Sequence, residues 1–163
     1  MSLGWRTAFL RQARSDFERF EAMLGDPSVP RCHLVHYLQM LTEKLAKGFS
    51  TTETERPPAI HRIFVRFLQL EMHSPSLYHF SDLKKRSQYK SSVASLLPLA
   101  HKIEALAPQQ AGILAPNPEY PWQQGTAGPV VAPADYSFDE IISLKQFLNL
   151  YQFLKRIFTA LES

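Results

Sequence analysis

His36-Tyr37-Leu38-Gln39-Met40-Leu41-Thr42-Glu43-Lys44-Leu45-Ala46-Lys47-Gly48-Phe49 is the stretch that decides the fold. With Leu34 ahead of them, Leu38, Leu41, Leu45 and Phe49 recur at three- and four-residue steps, which gathers them on one face of a helix. Glu43 and Lys47 lie on or beside that face. Their spacing suits an exposed i, i+4 ion pair or a charged pair lining a groove between helices. Ser28 is the expected N-cap, Pro30 falls in the first turn, and Gly48 closes the helix.

Upstream, residues 3 to 24 carry Phe9, Ala13, Phe17, Phe20 and Leu24 as a second apolar stripe, with Arg6, Arg11, Arg14 and Arg19 largely off it. Gly25-Asp26-Pro27 ends that helix. Downstream, the polar run from Ser50 to Pro58 leads into a third helix over residues 58 to 72, which Ser74-Pro75 ends. A fourth helix starts near Asp82 or Ser87 and continues to Leu106, with a kink expected at Pro98. The last helix opens on Ser137-Phe138-Asp139-Glu140, which has the pattern of a capping box. Leu144, Phe147, Leu148, Tyr151, Leu154, Phe158 and Leu161 then follow at helical steps. Its apolar arc is wide, so the helix is either central in its own bundle or shared with a second subunit.

No strand alternation or internal repeat is visible, and the expected architecture is an all-α, up-and-down bundle of about five helices in one domain, 1–163. The exception is residues 107–136, a long loop with six of the twelve prolines and three of the six glycines. A loop of that length inside a compact domain is uncommon. Glu119-Tyr120-Pro121-Trp122 and Asp135-Tyr136 give it aromatic anchors, so it is expected to be an ordered strap over the last helices. Alternatively, it forms the lip of a binding groove built from Tyr120, Trp122 and Tyr136.

A chain of 163 residues with 45% apolar residues can bury a real core. The net charge of +3 permits a nucleic-acid partner without requiring one. Cys32 is the only cysteine, which excludes an internal disulfide and a multi-cysteine zinc site. His33 and His36 are three apart, but no carboxylate stands at ligand spacing, so neither a metal nor a cofactor is expected. With no signal-like leader and no apolar run able to span a bilayer, the expectation is a soluble, cytoplasmic protein.

The densest positive segment is Lys84-Lys85-Arg86-Ser87-Gln88-Tyr89-Lys90. Four cations and an aromatic within two turns suit phosphates with a base stacked on Tyr89. The alternative is a solvated helix face with Tyr89 turned to the core.

Residues 5 to 72 resemble the HEPN family, small helical domains linked to nucleotides and RNA. The resemblance rests on Asp16-Phe17 in the first helix, Glu43-Lys44 and Lys47 in the second, and His61 opening the third. Glu119-Tyr120-Pro121-Trp122 is similar to segments of bacterial members. The resemblance implies that the two long helices form the centre of a bundle. It further implies that active members pair an Arg with a His four to six residues on, across a dimer cleft. There the His moves a proton of the ribose 2′-hydroxyl or leaving oxygen, and the Arg stabilises phosphate charge.

Arg31 with His36 fits that spacing best here. Arg56 with His61 runs into Pro57-Pro58, and Arg66 with His73 is seven apart. The family motif usually lies late in the bundle, whereas the final helix here has Lys155 and Arg156 but no histidine. The leading expectation is therefore a non-catalytic binding or accessory module of a bacterial nucleotide- or RNA-linked system, of the toxin–antitoxin or defence kind. It would be a homodimer through its last helix, with nucleotide, RNA or a partner protein such as a nucleotidyltransferase. The alternatives are a metal-independent endoribonuclease using Arg31 and His36, and a scaffold whose 107–136 loop grips a protein partner.

Overall fold

Leu34, Leu38, Leu41 and Leu45 are each at most 1% exposed, and the stripe they form is the spine of the molecule. The computed structural model describes residues 3–57, 59–81, 83–107, 115–142 and 145–161. Its helices are α1 (Trp5–Leu24), α2 (Arg31–Phe49), α3 (Phe64–His73), α4 (Arg86–Ala94), α5 (Leu97–Ala105), α6 (Asp139–Ile142) and α7 (Lys145–Ala160). Together they make the all-α bundle that the periodicity predicts.

Helices α1 and α2 are the most extensive pairing. Lys44 reaches Asp16 and Gly48 meets Leu10, so the two run antiparallel. Gly48 lies inside α2 rather than closing it. A β-carbon there would stand 2.6 Å from Leu10 Cδ2, and glycine is what lets the helices approach so closely. Ser28 does not cap α2 either; its N–H and hydroxyl both donate to Asp26 Oδ1 in the preceding turn, and Pro30 leads directly into Arg31.

Aromatic side chains seat α7 on α1. Phe158 stacks on Phe17 with centroids 4.7 Å apart, and Phe147 meets Phe20 edge-on at 6.0 Å. Arg14 donates to the Phe158 carbonyl, and the Tyr151 hydroxyl donates to Glu21 Oε1 at 2.7 Å. Phe147, Leu150, Leu154, Ile157 and Phe158 are thus buried within their own chain. The helix packs centrally in its own chain, while Leu148 and Leu161 stay exposed on its outer side.

Three boundaries differ from expectation. Helix α3 begins at Phe64, and His61 lies before it. Its start is set from a distance: the buried Glu104 carboxylate of α5 accepts the Val65 N–H at 2.9 Å. The expected fourth helix is two, α4 and α5, separated at Ser95-Leu96. Pro98 has no N–H to offer the Ala94 carbonyl. Ser95 and Leu96 keep right-handed helical dihedrals, and the Leu96 N–H donates to the Val93 carbonyl, so the helical hydrogen bonding is interrupted where the kink is expected. Asp82 and Pro58, proposed helix starts, lie outside the described residues, as does Leu144. At the last helix, Ser137 Oγ accepts from the Asp139 N–H at 3.4 Å, one residue short of capping-box geometry. Phe138 between them takes a positive φ of 51°, an uncommon conformation for a residue with a β-carbon.

Among the described residues, the 107–136 connection holds the one strand pairing. A two-residue antiparallel ribbon pairs β1 (Trp122–Gln123) with β2 (Val130–Val131), too short to show as alternation in sequence. Trp122 is buried at 2% exposure, edge-on to Tyr136 at 5.2 Å, and with Phe138 nearby. Asn117, also buried, accepts the N–H groups of Glu119 and Tyr120 on its Oδ1. The described part of the connection is therefore an anchored strap. Residues 108–114 lie outside the described residues.

Candidate functional site

Two helices that meet along one cleft lack carboxylates altogether. Helix α4 contains Arg86 and Lys90, and α7 contains Lys145, Lys155 and Arg156, with no Asp or Glu in either; Lys84 and Lys85 lead into α4, with Asp82 before them in the sequence. Among the described residues, Lys84, Lys85 and Lys90 have no ion-pair partner. Arg86 lies over the Tyr78 ring at 5.8 Å. Lys85 and Arg86 precede Tyr89 by four and three residues, so these cations stand one turn from a residue that lines the cleft.

The cleft itself has a volume of about 260 Å³. Helix α7 contributes Asn149, Gln152, Phe153 and Arg156, again one helical face. The segment before α4 adds Phe80 and Ser81, and α4 adds Tyr89 and Ser92. Lys155 turns the other way, towards Tyr151 and Glu21 on α1.

Tyr89 belongs to the floor of this cleft. It is 3% exposed, and its hydroxyl donates to Glu71 Oε2 at 2.8 Å. The same buried carboxylate accepts the Leu77 N–H at 3.0 Å and the Ser76 hydroxyl. Tyr89 is therefore unavailable as a stacking platform, which corrects that part of the sequence reading. Burial, then the Glu71 carboxylate, hold its phenol well above the usual tyrosine range.

The sign of the consequence is fixed. An unfolded tyrosine releases its proton from about pH 10, while Tyr89 in the fold keeps it. The stabilisation is complete below that pH and declines by about 1.4 kcal/mol per pH unit above it. Urea unfolding at rising alkaline pH should show a shallower loss of stability in Tyr89→Phe than in the parent. Parallel losses in the two proteins would contradict the assignment.

The expected Arg31–His36 pair is not brought together. Five residues turn a helix by roughly 500°, which leaves the two side chains about 140° apart around α2. Arg31 lines an open cleft of about 680 Å³ with the 24–30 turn and Ala134–Ser137. His36 instead faces Glu119, its Nδ1 3.4 Å from Oε1 and without a well-formed hydrogen bond. Of the other pairs, Arg56 lies over Trp5 while His61 binds Glu43; Arg66 lines a groove beside Leu70, and His73 is exposed at the end of α3.

Glu43 joins two partners, accepting from Lys47 Nζ at 2.6 Å and from His61 Nδ1 at 2.9 Å. The i, i+4 pair is present but not exposed: Lys47 is buried, with its ammonium 5.9 Å from the Phe9 ring. Tyr120, by contrast, is 60% exposed, while Trp122 is anchored inside the strap and cannot serve as a contact surface. Among the described residues no group of His, Cys, Asp or Glu converges as a metal site, and no helix is long and apolar enough to cross a membrane.

Asn149 and Gln152 escape the reading of the sequence. Their signal is the polar spacing of Lys145, Asn149, Gln152 and Arg156 in a helix without acids, but the apolar arc of that helix dominates its pattern. Compared with family models, curated proteins and solved structures, the chain matches none.

Proposed function

We propose that this chain is a non-catalytic binding module whose ligand is RNA, held through its phosphates on the face formed by α4 and α7. The observation that carries the proposal is the carboxylate-free pair of helices beside one cleft, with Lys84, Lys85 and Lys90 uncompensated by ion pairs among the described residues. Lys84, Lys85 and Arg86 stand at the start of α4, where cations oppose the helix dipole at a cost of roughly 0.3–1 kcal/mol each. The first turn of α4 has no side-chain cap, so its N–H groups add to the same positive field. A bound phosphate offsets both terms. In this proposal the module is HEPN-like and serves a bacterial nucleotide- or RNA-linked system, as a homodimer or beside a partner protein such as a nucleotidyltransferase.

The test is fluorescence anisotropy with a labelled single-stranded RNA of about twelve nucleotides, at a series of salt concentrations. Affinity should fall as salt rises. Lys84→Gln/Lys85→Gln should bind more weakly, with the slope of log K against log salt shallower by about 1.4, or roughly 0.7 for each phosphate that is no longer neutralised. An unchanged slope in the variant, or no binding at low salt, would overturn the proposal. Cleavage of the RNA would replace it with the ribonuclease reading.

A further inference from the structure

Resting on that reading, we infer that the α4–α7 cleft takes one unpaired base of the strand, so that the ligand is single-stranded RNA and not duplex. A surface that only gathers phosphates needs cations. This one also contains a concave, mixed surface beside them, of a kind that phosphates do not use. Phe80 and Phe153 are half-buried and offer ring surface on which a base can stack. Asn149 and Gln152 each present an amide with both donors and an acceptor, and neither has a hydrogen-bond partner among the described residues. Ser92 adds a hydroxyl from the facing helix α4.

Those groups complement the edge of a nucleobase, which presents donors and acceptors in one plane. At about 260 Å³ the cleft is smaller than the roughly 300–1,000 Å³ of pockets for drug-sized ligands, which suits one base better than two. Lys85 and Arg86, one turn from Tyr89, set phosphate-binding charge beside the base position. In a duplex the bases are paired and stacked, and none can enter without being unpaired.

The experiment compares three probes by anisotropy and competition: the labelled single-stranded RNA, the same sequence as a blunt duplex, and inorganic polyphosphate as competitor. Single-stranded RNA should bind about tenfold or more tightly than the duplex, and polyphosphate should compete poorly. Asn149→Ala/Gln152→Ala, both at exposed positions, should weaken single-strand binding about tenfold while leaving the salt slope unchanged. Equal affinity for strand, duplex and polyphosphate, with no effect of the double variant, would overturn the inference while the phosphate-binding face stands. Failure of every probe to bind would overturn both.

Discussion

Phe158→Ala is expected to lower the stability of the fold by about 3–5 kcal/mol. Phe158 is 1% exposed and lies between α7 and α1, stacked on Phe17. Its own carbonyl accepts from Arg14, so the ring and the backbone at this point both tie the last helix to the first. Truncation removes the buried ring and the stacking partner of Phe17 together. A cavity left between two packed helices closes poorly, which places the cost high in the usual range. Equilibrium unfolding in urea measures it. A loss below about 1 kcal/mol would mean that α7 does not complete the core in solution.

Glu71→Ala is the second large effect, at about 2–6 kcal/mol, and its origin is polar. Removing the carboxylate leaves the Tyr89 hydroxyl and the Leu77 N–H buried without an acceptor. Ser76 is exposed and recovers a bond to water, so the cost falls on two donors and not three. Each unsatisfied buried donor costs roughly 1–3 kcal/mol. Both buried donors meet the same oxygen, Oε2, so Glu71→Gln, which keeps one acceptor oxygen, should lose far less than Glu71→Ala. Equal stability of Glu71→Ala and the parent in urea would show that the Glu71 carboxylate does not organise the α3–α4 junction.

The central helices are legible in the sequence because their information is local. Leu34, Leu38, Leu41 and Leu45 on α2, and Ala13, Phe17 and Phe20 on α1, recur at the helical period and are buried where the period places them. The start of α3 is not legible, because the carboxylate that holds it, Glu104, comes from a helix 39 residues further on. Pro98 announces an irregularity, but whether the chain bends or stops there depends on how α4 and α5 each pack, which the proline itself does not encode.

The site divides along the same line. The cations of residues 84–90 are plain in the sequence, as is the aromatic among them. That Tyr89 turns inward follows from the distant Glu71, and that Asn149 and Gln152 line the same cleft follows from the docking of α7. Trp122 stands out in the sequence for its aromaticity, yet that property serves the strap: its indole packs with Tyr136 and Phe138. Arg31 and His36 illustrate the reverse, a spacing suggestive in one dimension that the turn of α2 separates in three.

The most direct measurement is a heteronuclear NMR titration of the labelled 18.7 kDa protein with the single-stranded RNA. The account predicts that backbone and side-chain amide shifts concentrate on Ser81, Lys85, Ser92, Asn149, Gln152 and Arg156. Shifts centred instead on Arg31 and His36, or a spectrum unmoved by RNA, would contradict it.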